Sequence, residues 1–345
     1  MNGAAGLIGY PCAAPPAEGE AVEVAAGILW LRLPLPMKLD HVNCYALDDG
    51  DGWTLIDTGM ASARSRGIWE RLLAGPLAGR PVRRVLVTHH HPDHVGLAGW
   101  FIAKGAELLM PRTGWLLARM LTLDVQDVAP PESLSFYRRA GMDAGLLAAR
   151  AVERPFNFAD CVAPLPLGFT RVTEGQALRL GGRDWTVRMG DGHAPEHATL
   201  WADDGDLVIG GDQLLPSISP NLGVYPTEPG ADPVGDWIRA CARLAPYATD
   251  DQLVLPGHKL PYTGLPVRLR QMTDNHTSGL DRLLLALTEP LTAAACFGAL
   301  YRREIGAGEY GLALVEAVAH LNHLHRAGRV RRWLDPQGAW LWQAT

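Results

Sequence analysis

The chain has no Cys-x-x-Cys pair, and its five cysteines (Cys12, Cys44, Cys161, Cys241, Cys296) are odd in number and widely scattered. That excludes a thiolate zinc site and a disulfide framework, and fits reduced core thiols in a cytoplasmic protein. No apolar run approaches the roughly 20 residues that a membrane-spanning helix requires, so no membrane partner is expected. Lys and Arg are absent from residues 1–20, which predicts a chain without the basic leader of a secretory signal. Positive charge is in deficit, with 31 Lys and Arg against 37 Asp and Glu and a net charge of −6. A strongly cationic nucleic-acid binder is thereby excluded, although a local basic face is not. Internal repeats and low-complexity tracts are missing. What remains is 345 residues, 48% apolar, enough for one large catalytic core and a smaller second domain.

Residues 1–20 are small and rich in Gly and Pro, the texture of a loosely ordered lead-in. Residues 21–264 alternate short apolar runs with turns, as a catalytic block built on strands would. Val82 to Val87 reads as a buried strand, followed by a polar burst and a helical pattern to about Lys104. About residues 112–166 turn helical (Trp115 to Leu123, Ser133 to Arg150), suggesting an insertion or lid. Strand character returns between Phe169 and Ile209, and Asp232-Pro233 opens a helix to about Leu244. Residues 265–345 hold three helical stretches, Arg268 to Leu287, Pro290 to Tyr301 and Tyr310 to Arg326. Two aromatic strands follow, Val330 to Leu334 and Ala339 to Trp342. Three helices and a hairpin describe a winged-helix-like module.

The chemistry concentrates in His89-x-His91-x-Asp93-His94. Imidazoles two apart at a strand end project to one side and can grip a cation, and Asp93 and His94, one turn on, can reach a second. His193, Asp212 and His258 each follow an apolar run and a glycine, which permits a tight turn at a crowded centre. Imidazole with carboxylate and no thiolate suits Zn²⁺, with Fe or Mn as alternatives. His90, between ligands, should point away. His197 divides evenly between a contact behind the ligands and plain packing. His41, His276, His320, His323 and His325 read as surface or core residues. Asp57 either supports a ligand from behind or caps the helix that starts near Ala61.

Thr88-His89-His90-His91-Pro92-Asp93-His94-Val95-Gly96 resembles the signature of the metallo-β-lactamase superfamily. Gly192-His193, Gly211-Asp212 and Gly257-His258 resemble its later metal motifs in order, and Ile56-Asp57-Thr58-Gly59 its early one. The resemblance spans nearly the whole chain and implies a four-layer αββα sandwich with a dinuclear site like that of glyoxalase II. It assigns His89, His91 and His193 to a first metal, Asp93, His94 and His258 to a second, and Asp212 to both. The C-terminal module is similar to the winged-helix extension of a branch that includes β-lactamase-like endoribonucleases. Asp212 stands where many true β-lactamases carry cysteine, which argues against antibiotic hydrolysis.

Two divalent cations sharing a water lower its pKa toward neutrality and polarise the oxygen under attack. On this reading a metal-bridging hydroxide, oriented by Asp93, cleaves a small ester, thioester or lactone. The alternative is a phosphodiesterase or endoribonuclease whose winged helix holds nucleic acid through Arg326, Arg329, Arg331 and Arg332. Glu304, Glu309 and Glu316 in the same module weigh against that alternative. A homo-oligomer is compatible with either.

Overall fold

The computed structural model describes residues 7–345. The elements are, in order, β1 (Val22–Ala25), β2 (Ile28–Pro34), β3 (His41–Asp48), β4 (Trp53–Ile56), α1 (Ala63–Ala74), β5 (Val82–Leu86), α2 (Pro92–Val95) and α3 (Ala98–Ile102). Next come β6 (Glu107–Pro111), α4 (Arg112–Leu123), α5 (Pro131–Arg139), α6 (Ala144–Val152), β7 (Thr170–Val172), β8 (Ala177–Leu180), β9 (Arg183–Gly190) and β10 (His197–Ala202). The chain ends with β11 (Leu207–Gly211), α7 (Pro233–Leu244), β12 (Leu253–Pro256), α8 (Leu265–Ala286), α9 (Phe297–Tyr301), α10 (Tyr310–Arg326), β13 (Val330–Leu334) and β14 (Trp340–Ala344).

Two compact units result. Of the described residues, the first comprises 7–125, 157–220 and 244–269, and the second 126–156, 221–243 and 270–345. Part of the helical insertion and most of α7 thus belong with the C-terminal elements, a grouping that a linear reading cannot produce.

In the first unit a seven-stranded sheet runs in the order β1-β2-β3-β4-β5-β6-β7 and a five-stranded sheet in the order β12-β11-β10-β9-β8. β4 to β7 are parallel, as are β11 and β12, whereas β8 to β11 are antiparallel. Strand alternation explains the layers. Ile28, Trp30, Tyr45, Leu47, Ile56 and Leu86 face Trp185, Val187, Leu200, Ile209 and Leu255 of the other sheet. Leu31, Leu33, Cys44, Ala46, Val85 and Val87 turn the other way and pack with Ile68, Trp69 and Leu72 of α1 and with Phe101 of α3. The first sheet is covered on both faces, so β2 and β3 read as continuous apolar runs. Parallel pairing, direct or through the antiparallel β10, brings the carboxyl ends of β9, β11 and β12 to one edge of their sheet. Those of β4 and β5 share an edge of the other.

Several expectations need correction. The helical pattern expected to run to Lys104 divides into α2 and α3 around Gly96-Leu97, and β6 follows where no strand is expected. The long helix expected over Ser133 to Arg150 is broken at Gly141, which takes φ +79°, and restarts when Asp143 accepts from the N–H groups of Gly145 and Leu146. The helix expected from Pro290 shrinks to α9 because Leu291 pairs instead with Trp342. The lead-in is anchored where described: Gly9 and Thr263 exchange backbone hydrogen bonds, and Glu18 pairs with Arg64 at 2.8 Å. Residues 1–6 of that segment lie outside the described residues. Among the described residues no helix is long and apolar enough to cross a membrane.

Candidate metal centre

All seven sequence-selected ligands converge at the strand-end edge of the first unit. His89, His91, Asp93 and His94 come from the loop after β5 and the start of α2. His193 follows β9, Asp212 follows β11 and His258 follows β12. Two backbone hydrogen bonds join the sheets here: Ala198 donates to the carbonyl of Thr88 at 2.9 Å, and Asn43 to that of Gly257 at 2.7 Å.

Three ring nitrogens meet at one point. His89 Nε2 lies 3.0 Å from His91 Nδ1, which lies 3.0 Å from His193 Nε2. Beside them, His258 Nε2 lies 3.3 Å from Asp93 Oδ2 and 3.2 Å from Asp212 Oδ2, and His94 Nε2 lies 3.6 Å from Asp93. Asp212 stands between the two groups, with Oδ2 3.4 Å from His193 Nε2 and Oδ1 3.4 Å from His94 Nε2. His89, His94, Asp212 and His258 are buried, whereas His91, Asp93 and His193 are partly exposed and mark the open side.

The outer ring atoms fix which nitrogen faces inward. Thr88 donates its hydroxyl proton to Asp57 Oδ2, so its oxygen accepts from His89 Nδ1 at 3.0 Å. His94 Nδ1 meets Asp57 Oδ2 at 2.7 Å, and His258 Nδ1 donates to the carbonyl of His41 at 2.9 Å. With those protons held outside, the inward Nε2 atom of each ring in its neutral form carries a lone pair. His94 Nε2 and Asp212 Oδ1 are buried without any hydrogen-bond partner. Facing lone pairs and an orphaned carboxylate oxygen repel one another unless a cation sits between them, so the donor set fits divalent metal ions.

The electrostatics agree. Burial, reinforced by the neighbouring imidazoles, holds His89 and His91 well below the ordinary histidine range, so both stay neutral donors. Burial also opposes charge on His258, yet the carboxylates of Asp212 and Asp93 draw it up to about 10. Burial would raise Asp212, but His258 and His94 hold it well below the carboxylate range. The pocket is built for positive charge, which protons supply where cations do not.

Asp57 resolves in favour of support from behind. Ser62, not Asp57, caps α1, while Asp57 receives the N–H of Thr88 at 2.8 Å along with the Thr88 hydroxyl and His94. It does so from a left-handed backbone, φ +60°, a conformation that aspartate tolerates better than most residues. Replacing Asp57 by alanine is expected to weaken metal retention and turnover by about 10- to 100-fold, read by metal analysis alongside kinetics. His197 stacks on His89 at 4.5 Å and its Nε2 accepts the backbone N–H of Asp212 at 3.1 Å, so it fixes the main chain of the residue whose carboxylate lies between the groups. His90, expected to point away, stacks with Phe158 at 6.4 Å, but its ring also lies 4.5 Å from that of His91. In the second unit His276 and His320 share a hydrogen bond of 3.1 Å and are core residues.

Sequence reasoning missed Asn43. Its side-chain amide donates to the carbonyls of Pro256 at 2.9 Å and Lys259 at 2.8 Å, clamping the turn that carries His258, and Trp30 Nε1 fixes its oxygen. The signal was a lone amide inside the apolar run Val42 to Leu47. The carbonyl of His41, which orients His258, left no side-chain signal.

A family model described as Metallo-beta-lactamase superfamily matches residues 37–258, and one described as Metallo-beta-lactamase-like, C-terminal domain, matches residues 280–345. The chain is 27% identical over 315 residues to the probable metallo-hydrolase YqjP of Bacillus subtilis (strain 168), covering 86% of this chain and 92% of the relative. A crystal structure of a beta-lactamase domain protein from Burkholderia ambifaria superposes with a TM-score of 0.89 at 34% identity, covering 98% of both chains. A metallo-beta-lactamase family protein from Thermus thermophilus gives 0.78 at 26% identity, covering 93% of this chain and 100% of that one.

Proposed function

The chain belongs to the metallo-beta-lactamase superfamily and has its mixed α/β sandwich, and from that membership we propose that it is a metal-dependent hydrolase of small esters, thioesters or lactones. The site would take two divalent cations, zinc first, with iron and manganese as alternatives, as a glyoxalase II-like donor set would. His89, His91 and His193 would hold one, Asp93, His94 and His258 the other, and Asp212 would serve both. The observation behind this reading is the convergence of inward lone pairs whose outer ring nitrogens are already committed to Thr88, Asp57 and the His41 carbonyl.

Bound there, the cations supply Lewis acidity, which lowers the pKa of coordinated water and polarises the oxygen of the bond to be broken. Asp93 has the most accessible of the site's carboxylates, its side chain 20% exposed against 8% for Asp212. It orients the attacking water, accepts its proton at a carboxylate oxygen and passes it to the leaving alkoxide or thiolate. Asp57 and Thr88 keep His94 and His89 in the donor tautomer throughout.

The C-terminal helices and hairpin we read as a winged-helix-like module that does not present nucleic acid to the site. Arg326 donates to the carbonyl of Gly230, Arg331 lies over Trp333, and Arg332 lies 4.7 Å over Trp340 and 5.0 Å over Trp342. These three guanidinium groups are engaged within the second unit, while Arg329 is exposed. The purified protein is expected to carry about two divalent ions per chain. It should turn over members of an ester, thioester and lactone panel with little salt dependence, and lose that activity to a chelator. Oligonucleotide retention that weakens steeply with salt, together with no turnover on the panel, would overturn the reading.

A further inference from the structure

Glu196 adopts φ +53°, between His193 and His197. This left-handed conformation is uncommon for a residue with a Cβ and is strained. Among the described residues only Asp57, Glu196, Lys259 and Arg302 combine a side chain with positive φ; Glu196 and Lys259 sit on loops that carry candidate ligands, and Asp57 hydrogen-bonds to one, His94. Asp57 shows what such strain accompanies, since its carboxylate holds His94.

The side chain of Glu196 has an equally specific destination. Helix α4 begins after Pro111, an N-cap residue with no side-chain hydrogen bond to offer. First-turn N–H groups need an acceptor from elsewhere. Glu196 Oε2 supplies one, accepting from the N–H of Thr113 at 2.5 Å, and its Oε1 lies 3.5 Å from Arg171 Nη2 on β7. A carboxylate at this helix end is also favoured by the helix dipole. The same helix start abuts the other ligand loop, because a Cβ on Gly114 would lie 3.9 Å from the backbone nitrogen of His90. The carboxylate therefore ties the His193 loop to the framework that presents His89 and His91.

We propose that Glu196 is a positioning residue that sets His193 against His89 and His91 by capping α4 from across the site. The proposal rests on the metal-binding reading above. Two variants separate its parts: Glu196→Gly relaxes the backbone and removes the tie, while Glu196→Gln keeps an acceptor oxygen for Thr113. The experiment compares loss of bound zinc to an excess of chelator, alongside thermal melting, for both variants and the wild type. Glu196→Gly should release one of two zinc ions roughly 10-fold faster or more, with a Tm equal to or above that of the wild type. Glu196→Gln should release zinc much as the wild type does. If Glu196→Gly keeps both ions as long as the wild type does and only its Tm moves, Glu196 is a stabilising turn residue and the inference fails alone. If the wild type takes up no divalent cation, the metal reading fails and this inference falls with it.

Discussion

Replacing Asp212 by asparagine is expected to lower turnover on the order of 10³-fold or more and to reduce bound metal below that of the wild type. The size follows from the position. Asp212 lies within 3.4 Å of His193, His94 and His258, so it is the one residue shared by both nitrogen groups. Asparagine keeps the shape and the backbone N–H to His197 but removes the charge and puts two N–H donors where lone pairs converge. The fold should survive, because the side chain touches the ligand cluster rather than either apolar layer. Metal analysis and near-wild-type circular dichroism, measured together, separate loss of the site from loss of the fold. An Asp212→Asn protein with full metal and full turnover would remove the proposed role.

Adding a single methyl group at Gly257 is expected to be comparably severe, reducing turnover by about 10²-fold or more. A Cβ there would meet Asp212 Oδ1 at 2.3 Å and His94 Cε1 at 2.9 Å, distances that force the ligands themselves to move. The backbone around Gly257 cannot yield instead, because its N–H is bound to Gly211 and its carbonyl to Asn43. Gly257→Ala should therefore lose metal while its melting temperature moves by only a few degrees, as for a perturbation of about 1 kcal/mol in a chain of this size. Kinetics with metal titration decides it: restoration of full rate by excess zinc would show that affinity alone was damaged.

The convergence of the His/Asp cluster is readable in advance because His89 to His94 act through local spacing, and because Gly-His and Gly-Asp at strand ends mark abrupt turns. β6 is not. Its residues Glu-Leu-Leu-Met-Pro contain no β-branched side chain and run straight into α4, so propensity favours helix while pairing with β5 and β7 imposes strand. Gly141 and Asp143 do carry a stop and a cap, so the break between α5 and α6 has a local signal that helical periodicity on either side outweighs. Nor can the sequence reveal that Asn43 reaches the turn of His258 or that Glu196 reaches the start of α4, since side-chain reach across a sandwich leaves no periodicity.

At the strand-end edge of the first unit, each nitrogen-rich triad is a mixed set. Two donors come from the loop after β5 and one from the opposite sheet, His193 in one case and His258 in the other, with Asp212 also supplied from that side. Neither sheet owns a complete cage. On the proposed metal reading, full coordination would wait until the two sheets have docked, which would make ion capture a late event in maturation and the ion a clasp over the seam rather than a seed for either layer.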